Sequence, residues 1–272
     1  MKSHILLAGL AVLIVFSCKK NNDTDTPQPA GAKLAKMVII DGQYTQTTFY
    51  TYDADGKLST LRETESGGGS YSESGFRLIR KGGGMLERII FRNAGSADST
   101  TITISTNGQQ YASAEWLMTL GSPIVETRKI TFVTNSEGQI TEATKVDYYG
   151  TTADPKSRTT FAYINNNLTA EKLYRISGGT NNLADQYDME YDSKTNPLAS
   201  GAEWLVLSSA TGHAFWQCSA NNLTKLMYQD VGQPTETYNF TYTYNNKGLP
   251  VSASFKSSDP SQPVQTIAYT YE

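Results

Sequence analysis

The sequence predicts an all-β fold, an antiparallel up-and-down meander of about 16–18 strands built from hairpin repeats and curled into a closed or flattened barrel-like sheet. Three observations predict it. A turn rich in Asp, Asn and Gly recurs at near-constant spacing, and the flanking segments alternate apolar and polar residues with a period of two. The strand count also exceeds what an open twisted sheet usually holds, so the sheet is expected to curl.

The repeated unit is a strand rich in aromatic residues, a turn, and an aliphatic residue that begins the next strand. Its clearest copies are Phe49–Leu58, Met189–Leu198 and Phe240–Leu249. With weaker copies included, eight predicted turns lie at residues 56, 83, 108, 138, 167, 196, 222 and 248, at intervals of 25 to 30 residues. Gly and Asn supply the positive φ that a tight hairpin needs, and an Asp or Asn at the turn entry can accept a bond from the backbone two residues on.

Longer stretches rich in Gly, Ser, Pro, Asn and Asp separate the hairpins. They are Thr64–Ser74, Gly150–Ser157, Ser177–Asp185, Asp230–Thr235 and Ser257–Pro263. We expect these stretches to be loops. Short turns would then gather at one end of the meander and long loops at the other. No segment after the N-terminal apolar run shows a helical period.

The N-terminus is interpreted as a targeting segment. After a short basic start, Ile5–Phe16 is an apolar run of twelve residues, shorter than the ~20 of a membrane-spanning helix and typical of a signal-peptide core. The run ends at Ser17-Cys18, which resembles the processing site of bacterial lipoproteins. Residues 1–17 are therefore predicted to be the signal peptide and Cys18 to be the lipidated residue. We expect residues 18–32 to be a flexible tether and residues 33–272 to form a single β domain.

Composition excludes several classes of function. The formal net charge of −3 excludes a nucleic-acid binder that depends on a basic face. After residue 17 the chain contains one histidine, His213, and one cysteine besides Cys18, Cys218. These are too few for a Cys/His metal site or a disulfide framework. A Gly-x-Ser-x-Gly elbow is absent, so we expect no cofactor, no metal and no catalytic residues.

The three tryptophans are the candidate ligand-contacting aromatics. Ala114–Leu117 and Ala202–Leu205 are the same four residues, and each places its Trp eight residues after a predicted turn. Trp116 and Trp204 could be platforms for sugar rings, and Trp216 is interpreted in the same way. The alternative is core packing repeated in the same phase, which the matched spacing favours.

The elements at Tyr52–Leu58, Tyr191–Leu198 and Tyr244–Pro250 resemble YD-type repeats. Together with the Ser17-Cys18 junction, the chain resembles lipoproteins of the Bacteroidota type that carry a porin-like domain of unknown function. The resemblance covers roughly residues 33–272 and implies an antiparallel β meander. It supplies no catalytic residues. The residue after Cys18 is Lys19 rather than Asp, which resembles lipoproteins of the outer membrane.

The sequence thus favours an outer-membrane lipoprotein, periplasmic-facing or cell-surface, that acts as a non-catalytic binding or scaffold module of the cell envelope. Its expected partners are the membrane, through the lipid anchor, and a glycan or an envelope protein, with no role for nucleic acid. Two alternatives stay open. One is a transmembrane β-barrel pore, and the other is a glycan hydrolase that uses a carboxylate pair.

Overall fold

The computed structural model describes residues 32–81, 84–96, 99–119, 125–198, 202–211 and 218–272. Within these residues the chain forms sixteen antiparallel strands and one α-helix. The predicted signal peptide, Cys18 and nearly all of the predicted tether lie outside the described residues.

The strands in chain order are β1 (Leu34–Asp41), β2 (Tyr44–Tyr52), β3 (Leu58–Gly67), β4 (Ser70–Arg80), β5 (Leu86–Asn93), β6 (Thr100–Asn107), β7 (Gln110–Thr119), β8 (Val125–Thr134), β9 (Ile140–Tyr149), β10 (Thr152–Ile164), β11 (Asn167–Ser177), β12 (Thr180–Thr195), β13 (Asn221–Asp230), β14 (Glu236–Tyr244), β15 (Pro250–Ser257) and β16 (Gln265–Tyr271). The helix α1 (Ala202–Thr211) lies between β12 and β13.

The sheet closes into a barrel. Each strand pairs with its neighbours in sequence, and β1 pairs antiparallel with β16 from Leu34 opposite Tyr271 to Ile40 opposite Thr266. Closure leaves none of the sixteen described strands with an unpaired edge, which removes the usual site of strand-to-strand association. The predicted all-β meander is confirmed, with sixteen strands in the described residues.

The connections alternate between the two ends of the barrel. The repeat end, as we call it, carries the Asp/Asn/Gly turns, the start of β1, the end of β16 and the excursion that contains α1. The far end carries the other set of connections, among them residues 42–43, 68–69, 150–151 and 178–179.

The expectation of long loops at the far end is confirmed for Asp230–Thr235 and Ser257–Pro263, which lie almost entirely between strands, and is wrong for the other three stretches. Most of Thr64–Ser74, Gly150–Ser157 and Ser177–Asp185 is strand, and each of these stretches turns over two residues. Their Ser, Thr and Asn residues are common in loops, which is why the composition predicts loops there. In the barrel most of them lie on paired strands, where polar side chains at exposed positions are compatible with pairing.

The predicted repeat turn has a defined hydrogen-bond pattern. Asp53 Oδ1 accepts bonds from the backbone N–H groups of Asp55 at 3.0 Å and Lys57 at 2.7 Å. Gly56 supplies the positive φ of +77°, and Leu58 then restarts the strand in the core. Two further turns repeat this pattern, with Asn135 Oδ1 bound by Glu137 and Gln139, and Asn245 Oδ1 bound by Lys247 and Leu249.

The tyrosine of the repeat joins neighbouring strands at the repeat end. Tyr163, near the end of β10, donates its hydroxyl to the carbonyl oxygen of Ile140 at the start of β9, 2.8 Å away. The same bond type recurs from Tyr52 to Leu34, from Tyr191 to Leu168 and from Tyr271 to Pro250. Each bond ties together the open ends of two strands whose turn lies at the far end.

The excursion that contains α1 is an insertion into one of these turns. Asp192 Oδ1 accepts bonds from Lys194 N–H at 2.8 Å and from Asn222 N–H at 3.1 Å. Asp192 therefore accepts both of the bonds seen in the uninterrupted turns, although the inserted segment lies between the two donor residues. Tyr191 then pairs with Leu223 across an irregularity, as the tyrosines of uninterrupted repeats pair with their aliphatic residue. The two hairpin turns predicted at residues 196 and 222 are the two ends of this single insertion.

Helix α1 fills the barrel interior at the repeat end. Six consecutive residues, 203–208, are buried, and Trp204 is 0% exposed within the same core cluster as the strand residues. A helix enclosed on all sides has no polar face and no amphipathic period, which is why the sequence pattern did not reveal it. The two Ala-Glu-Trp-Leu segments therefore differ in structure, one in β7 and the other in α1. Among the described residues, no helix is both long and apolar enough to span a bilayer.

A buried ion pair anchors the helix to the wall. Glu203 of α1 pairs with Arg80 of β4, and both side chains are 9% exposed. Arg80 also donates to the carbonyl of Leu58 at 2.5 Å, and the Tyr111 hydroxyl donates to Glu203 Oε2 at 3.4 Å. Burial raises the pKa of Glu203, although Arg80 opposes the shift.

We expect Gly138→Ala to destabilise the protein by about 1–2 kcal/mol, because Gly138 has a φ of +81° and a Cβ there adds backbone strain without any contact. Urea unfolding gives the value. Gly75→Ala is the control, since Gly75 lies in β4 and its added Cβ meets only Leu61 O at an ordinary 3.5 Å. Equal effects of the two changes would contradict the assigned role of Gly138.

We expect Glu203→Met to lower the free energy of unfolding by roughly 3 kcal/mol, because it leaves the Arg80 charge buried without its carboxylate. The double change Arg80→Met and Glu203→Met should recover most of that loss. Glu115→Gln breaks the exposed pair with Lys129 and should cost less than about 1 kcal/mol. Additive losses in the double variant would argue against a coupled pair.

Candidate functional site at the far end of the barrel

The barrel interior changes character from one end to the other. On β3, Leu58 and Leu61 are buried, whereas Glu63 and Glu65 follow on the inward side towards the far end. On β7, Ala114 is fully buried and Trp116 is partly exposed. We call the polar, partly exposed interior near the far end the vestibule.

One sector of the vestibule is basic and aromatic. Register places Trp116, Arg128 and Asp147 side by side on β7, β8 and β9. Arg128 donates from Nε and NH2 to the two oxygens of Asp147, both at 2.6 Å. Its guanidinium lies 6.0 Å from the Trp116 ring centroid. Lys145 is nearby, and burial, together with the Arg128 charge, lowers its pKa.

The next sector, which we call the acidic wall, comprises Glu171, Asp185, Tyr187, Tyr228 and Glu236. The rings of Tyr187 and Tyr228 stack with centroids 4.9 Å apart, and the Tyr228 hydroxyl donates to Asp185 Oδ1 at 3.0 Å. Glu236 lies opposite Tyr228 and accepts a bond from the hydroxyl of a serine on β15 at 3.0 Å. The result is a surface of aromatic rings with carboxylates around them.

Glu171 is the unusual member of this wall. It lies opposite Tyr187 in the register and is 7% exposed, yet its Oε2 is buried without a hydrogen-bond partner. Burial raises its pKa well above the usual range, and the neighbouring Asp185 adds to the shift. A buried polar atom without a partner is uncommon in folded proteins and calls for an explanation.

The candidate residues from the sequence fall in different places. Trp116 lies in the vestibule, whereas Trp204 is buried in α1 and is not placed to contact a ligand from solution. Trp216, Cys18 and His213 lie outside the described residues. No group of His, Cys, Asp and Glu among the described residues could hold a metal ion.

Sequence reasoning missed the acidic wall. The available signal was an acid on the inward face of a predicted strand, since Glu171 shares a face of β11 with the apolar Leu173. The chain contains 26 acidic residues, and only strand pairing shows which of them lie together.

A pocket of about 440 Å³ also opens at the repeat end, between the β4–β5 and β6–β7 connections. Leu86 and Ile104 form its apolar part, and its polar groups include Lys81 and Gln109 on exposed turns. None of the buried unpartnered side-chain atoms among the described residues belongs to its lining. The vestibule is therefore the stronger candidate site.

We expect Glu171→Gln to become more stabilising relative to the wild type as the pH rises from about 4 to 8. A carboxyl whose folded pKa lies above its unfolded value, near 4.3, loses stability as the pH rises between the two values, and glutamine does not titrate. Melting curves across this pH range measure the difference.

Glu142→Gln is the control for that series, because its effect on stability should change with pH in the opposite direction. The hydrogen bond from Arg158 lowers the pKa of Glu142, so its contribution to stability is present at neutral pH and is lost as the pH falls. A difference between Glu171→Gln and wild type that does not change with pH would show that Glu171 does not titrate as described.

No protein-family model and no curated protein matches the sequence. Solved structures do match. The crystal structure of a porin-like protein from Bacteroides uniformis ATCC 8492 superposes with a TM-score of 0.57 at 16% identity, over 88% of this chain and 98% of that one. A porin-like protein from Bacteroides vulgatus ATCC 8482 gives a TM-score of 0.52 at 10% identity, over 89% and 99% of the two chains. At these identities the likeness concerns the fold, and the chain has a porin-like β-barrel fold.

Proposed function

We propose that the protein is an outer-membrane-anchored lipoprotein whose barrel stands in water as a non-catalytic binding module of the cell envelope. The anchor is Cys18, and the ligand contacts are made in the vestibule. The observation that carries this proposal is the polarity of the barrel wall, whose outward positions carry many polar and charged side chains and whose interior is apolar at the repeat end.

A transmembrane barrel needs the reverse arrangement, with an apolar outer band ~25 Å tall. Here the outward positions of β14, Asn239, Thr241 and Thr243, are exposed, while Tyr238 and Phe240 on the alternate, inward positions are buried. Charged side chains occupy outward positions around the barrel. They include Arg62, Arg77, Arg88, Glu115, Lys129, Glu142, Arg158, Lys172, Glu190 and Lys225. An Arg or Lys facing lipid at the bilayer midplane costs roughly 2–4 kcal/mol, so this surface favours water.

The filled interior favours binding over conduction. The core cluster joins strands around the barrel and includes Trp204, Leu205 and Val206 of α1. The apolar helix thus occupies the interior at the repeat end, where an open channel would need water. The vestibule at the far end is the part of the described interior that stays partly exposed.

The position of β1 sets the orientation of the proposed module. Strand β1 begins at Leu34, at the repeat end. The predicted tether of fifteen residues, 18–32, spans at most about 50 Å when fully extended. The lipid anchor would then hold the repeat end towards its bilayer, and the vestibule would point away from it.

Residues 33–272, expressed without Cys18 and kept without detergent, test the proposal. We expect a soluble barrel that melts cooperatively, and a rise in Tm with one class in a panel of glycans, calcium and organic cations. A ligand at 100 times its Kd adds about 2.7 kcal/mol, which corresponds to a rise of roughly 5–10 °C in a domain of this size. Aggregation that detergent cures would contradict the proposal and favour the transmembrane pore.

The anchor has its own test. In cells fed an alkyne fatty acid, we expect the wild-type chain to become labelled and to fractionate with the outer membrane, and Cys18→Ala to lose both properties. Cys218→Ala is the matched control, because Cys218 is buried next to β13 and is not exposed to the acylating enzymes. Labelling that survives Cys18→Ala would refute the lipoprotein assignment.

A further inference from the structure

We propose that the acidic wall binds an organic cation, such as a primary or quaternary ammonium group, between Asp185 and Glu171 and against the Tyr187–Tyr228 ring pair. The proposal rests on the proposed function, because it names the ligand class of that same vestibule. Three features of the wall carry it, namely its charge, its unpartnered carboxyl and its stacked rings.

The charge of the wall is one-sided. The inward faces of β12, β13 and β14 carry Asp185, Asp230 and Glu236 and no Lys or Arg. The nearest inward base on β11 is Arg175, which is exposed close to the far rim. In the neighbouring sector the inward carboxylate Asp147 is matched by Arg128. Fixed acids in a partly enclosed space concentrate cations.

Glu171 supplies the second, independent feature. Its side chain is more than nine-tenths buried, and no side chain or backbone group of the described residues donates to its Oε2. Among the described residues, the charged and titratable groups that act on it are Tyr163 on β10 and Asp185 and Tyr187 on β12, and none of them is a cation. An ammonium group has donors and no acceptor, so a bound cation would provide the missing partner and relieve the repulsion between the two carboxyl groups.

The aromatic pair selects the kind of cation. The ring centroids of Tyr187 and Tyr228 are 4.9 Å apart, and the Tyr228 hydroxyl donates to Asp185 Oδ1 and not to Oδ2, so Oδ2 is the oxygen that we assign to the ligand. Aromatic faces attract ammonium and quaternary ammonium groups through their quadrupole. A metal ion needs several oxygen ligands converging on one point, and no such group of His, Cys, Asp and Glu exists among the described residues.

Calorimetric titration of the full chain, purified in mild detergent, tests the proposal. The probes are tetramethylammonium, choline and propylammonium chlorides, compared with sodium chloride at equal ionic strength and with N-acetylglucosamine as a neutral sugar. We expect saturable binding of at least one organic cation, and none of sodium. Asp185→Asn and Glu171→Gln should weaken binding at least about tenfold, which corresponds to about 1.4 kcal/mol.

Glu190→Gln is the matched control for Asp185→Asn, because Glu190 lies on the outer face of β12, the strand that carries Asp185, and pairs with Lys225 at 2.9 Å. It should leave cation binding unchanged. Tyr228→Phe keeps the ring and therefore the packing, and it removes the hydrogen bond to Asp185. We expect this variant to lose part of its affinity for the cation. The melting curve of each variant shows whether lost binding reflects lost folding.

Two results would overturn the proposal. One is the absence of any organic-cation effect beyond that of sodium chloride, and the other is equal affinity in Asp185→Asn and Glu190→Gln. Saturable binding of N-acetylglucosamine without cation binding would reject the cation and leave the binding module standing. A barrel of residues 33–272 that needs detergent to stay dispersed would instead reject the module itself.

Discussion

The need to fill a wide interior governs this structure. Sixteen strands enclose more space than wall side chains close by themselves, and barrels of this size in membranes leave an aqueous lumen. Here the inward faces are apolar at the repeat end, so an unfilled lumen there would expose the core to water. The large inward rings and the enclosed helix α1 solve that problem together. The buried pair between Arg80 and Glu203 then fixes where the helix sits.

The repeat explains how so long a chain keeps one register. Each Asp or Asn cap defines where a strand ends. The repeat tyrosine then bonds through its hydroxyl to the neighbouring strand and fixes the position of that strand. The cap at Asp192 shows that the turn tolerates an insertion, because the second residue that donates to Asp192, Asn222, follows the inserted segment that contains α1. Additional structure can therefore enter at a turn without disturbing the sheet. The helix that fills the interior is such an addition.

The barrel could be predicted from the sequence because strand alternation and turn chemistry are local signals. The pairing of the first strand with the last could not be predicted, since nothing in the sequence near Leu34 or Tyr271 identifies its partner. Helix α1 was missed because enclosure removes the amphipathic period. The Trp116 and Trp204 segments share four residues and differ in structure, so their surroundings decide the outcome. The acidic wall was missed because Glu171, Asp185 and Glu236 lie on three different strands and only pairing brings them together.

The meeting of the first and last strands has one more consequence. The backbone N–H of Glu272 donates to the carbonyl of Lys33 at 3.0 Å, so the two ends of the barrel sequence lie side by side. A short link could join them, and the ring of strands could be opened at a far-end turn such as residues 150–151. Circular permutation of this kind is tolerated where the cut turn is exposed and the original ends adjoin. A tether fused to the new terminus would leave from the vestibule side. If the protein is anchored as proposed, this permuted barrel would turn its vestibule towards the membrane.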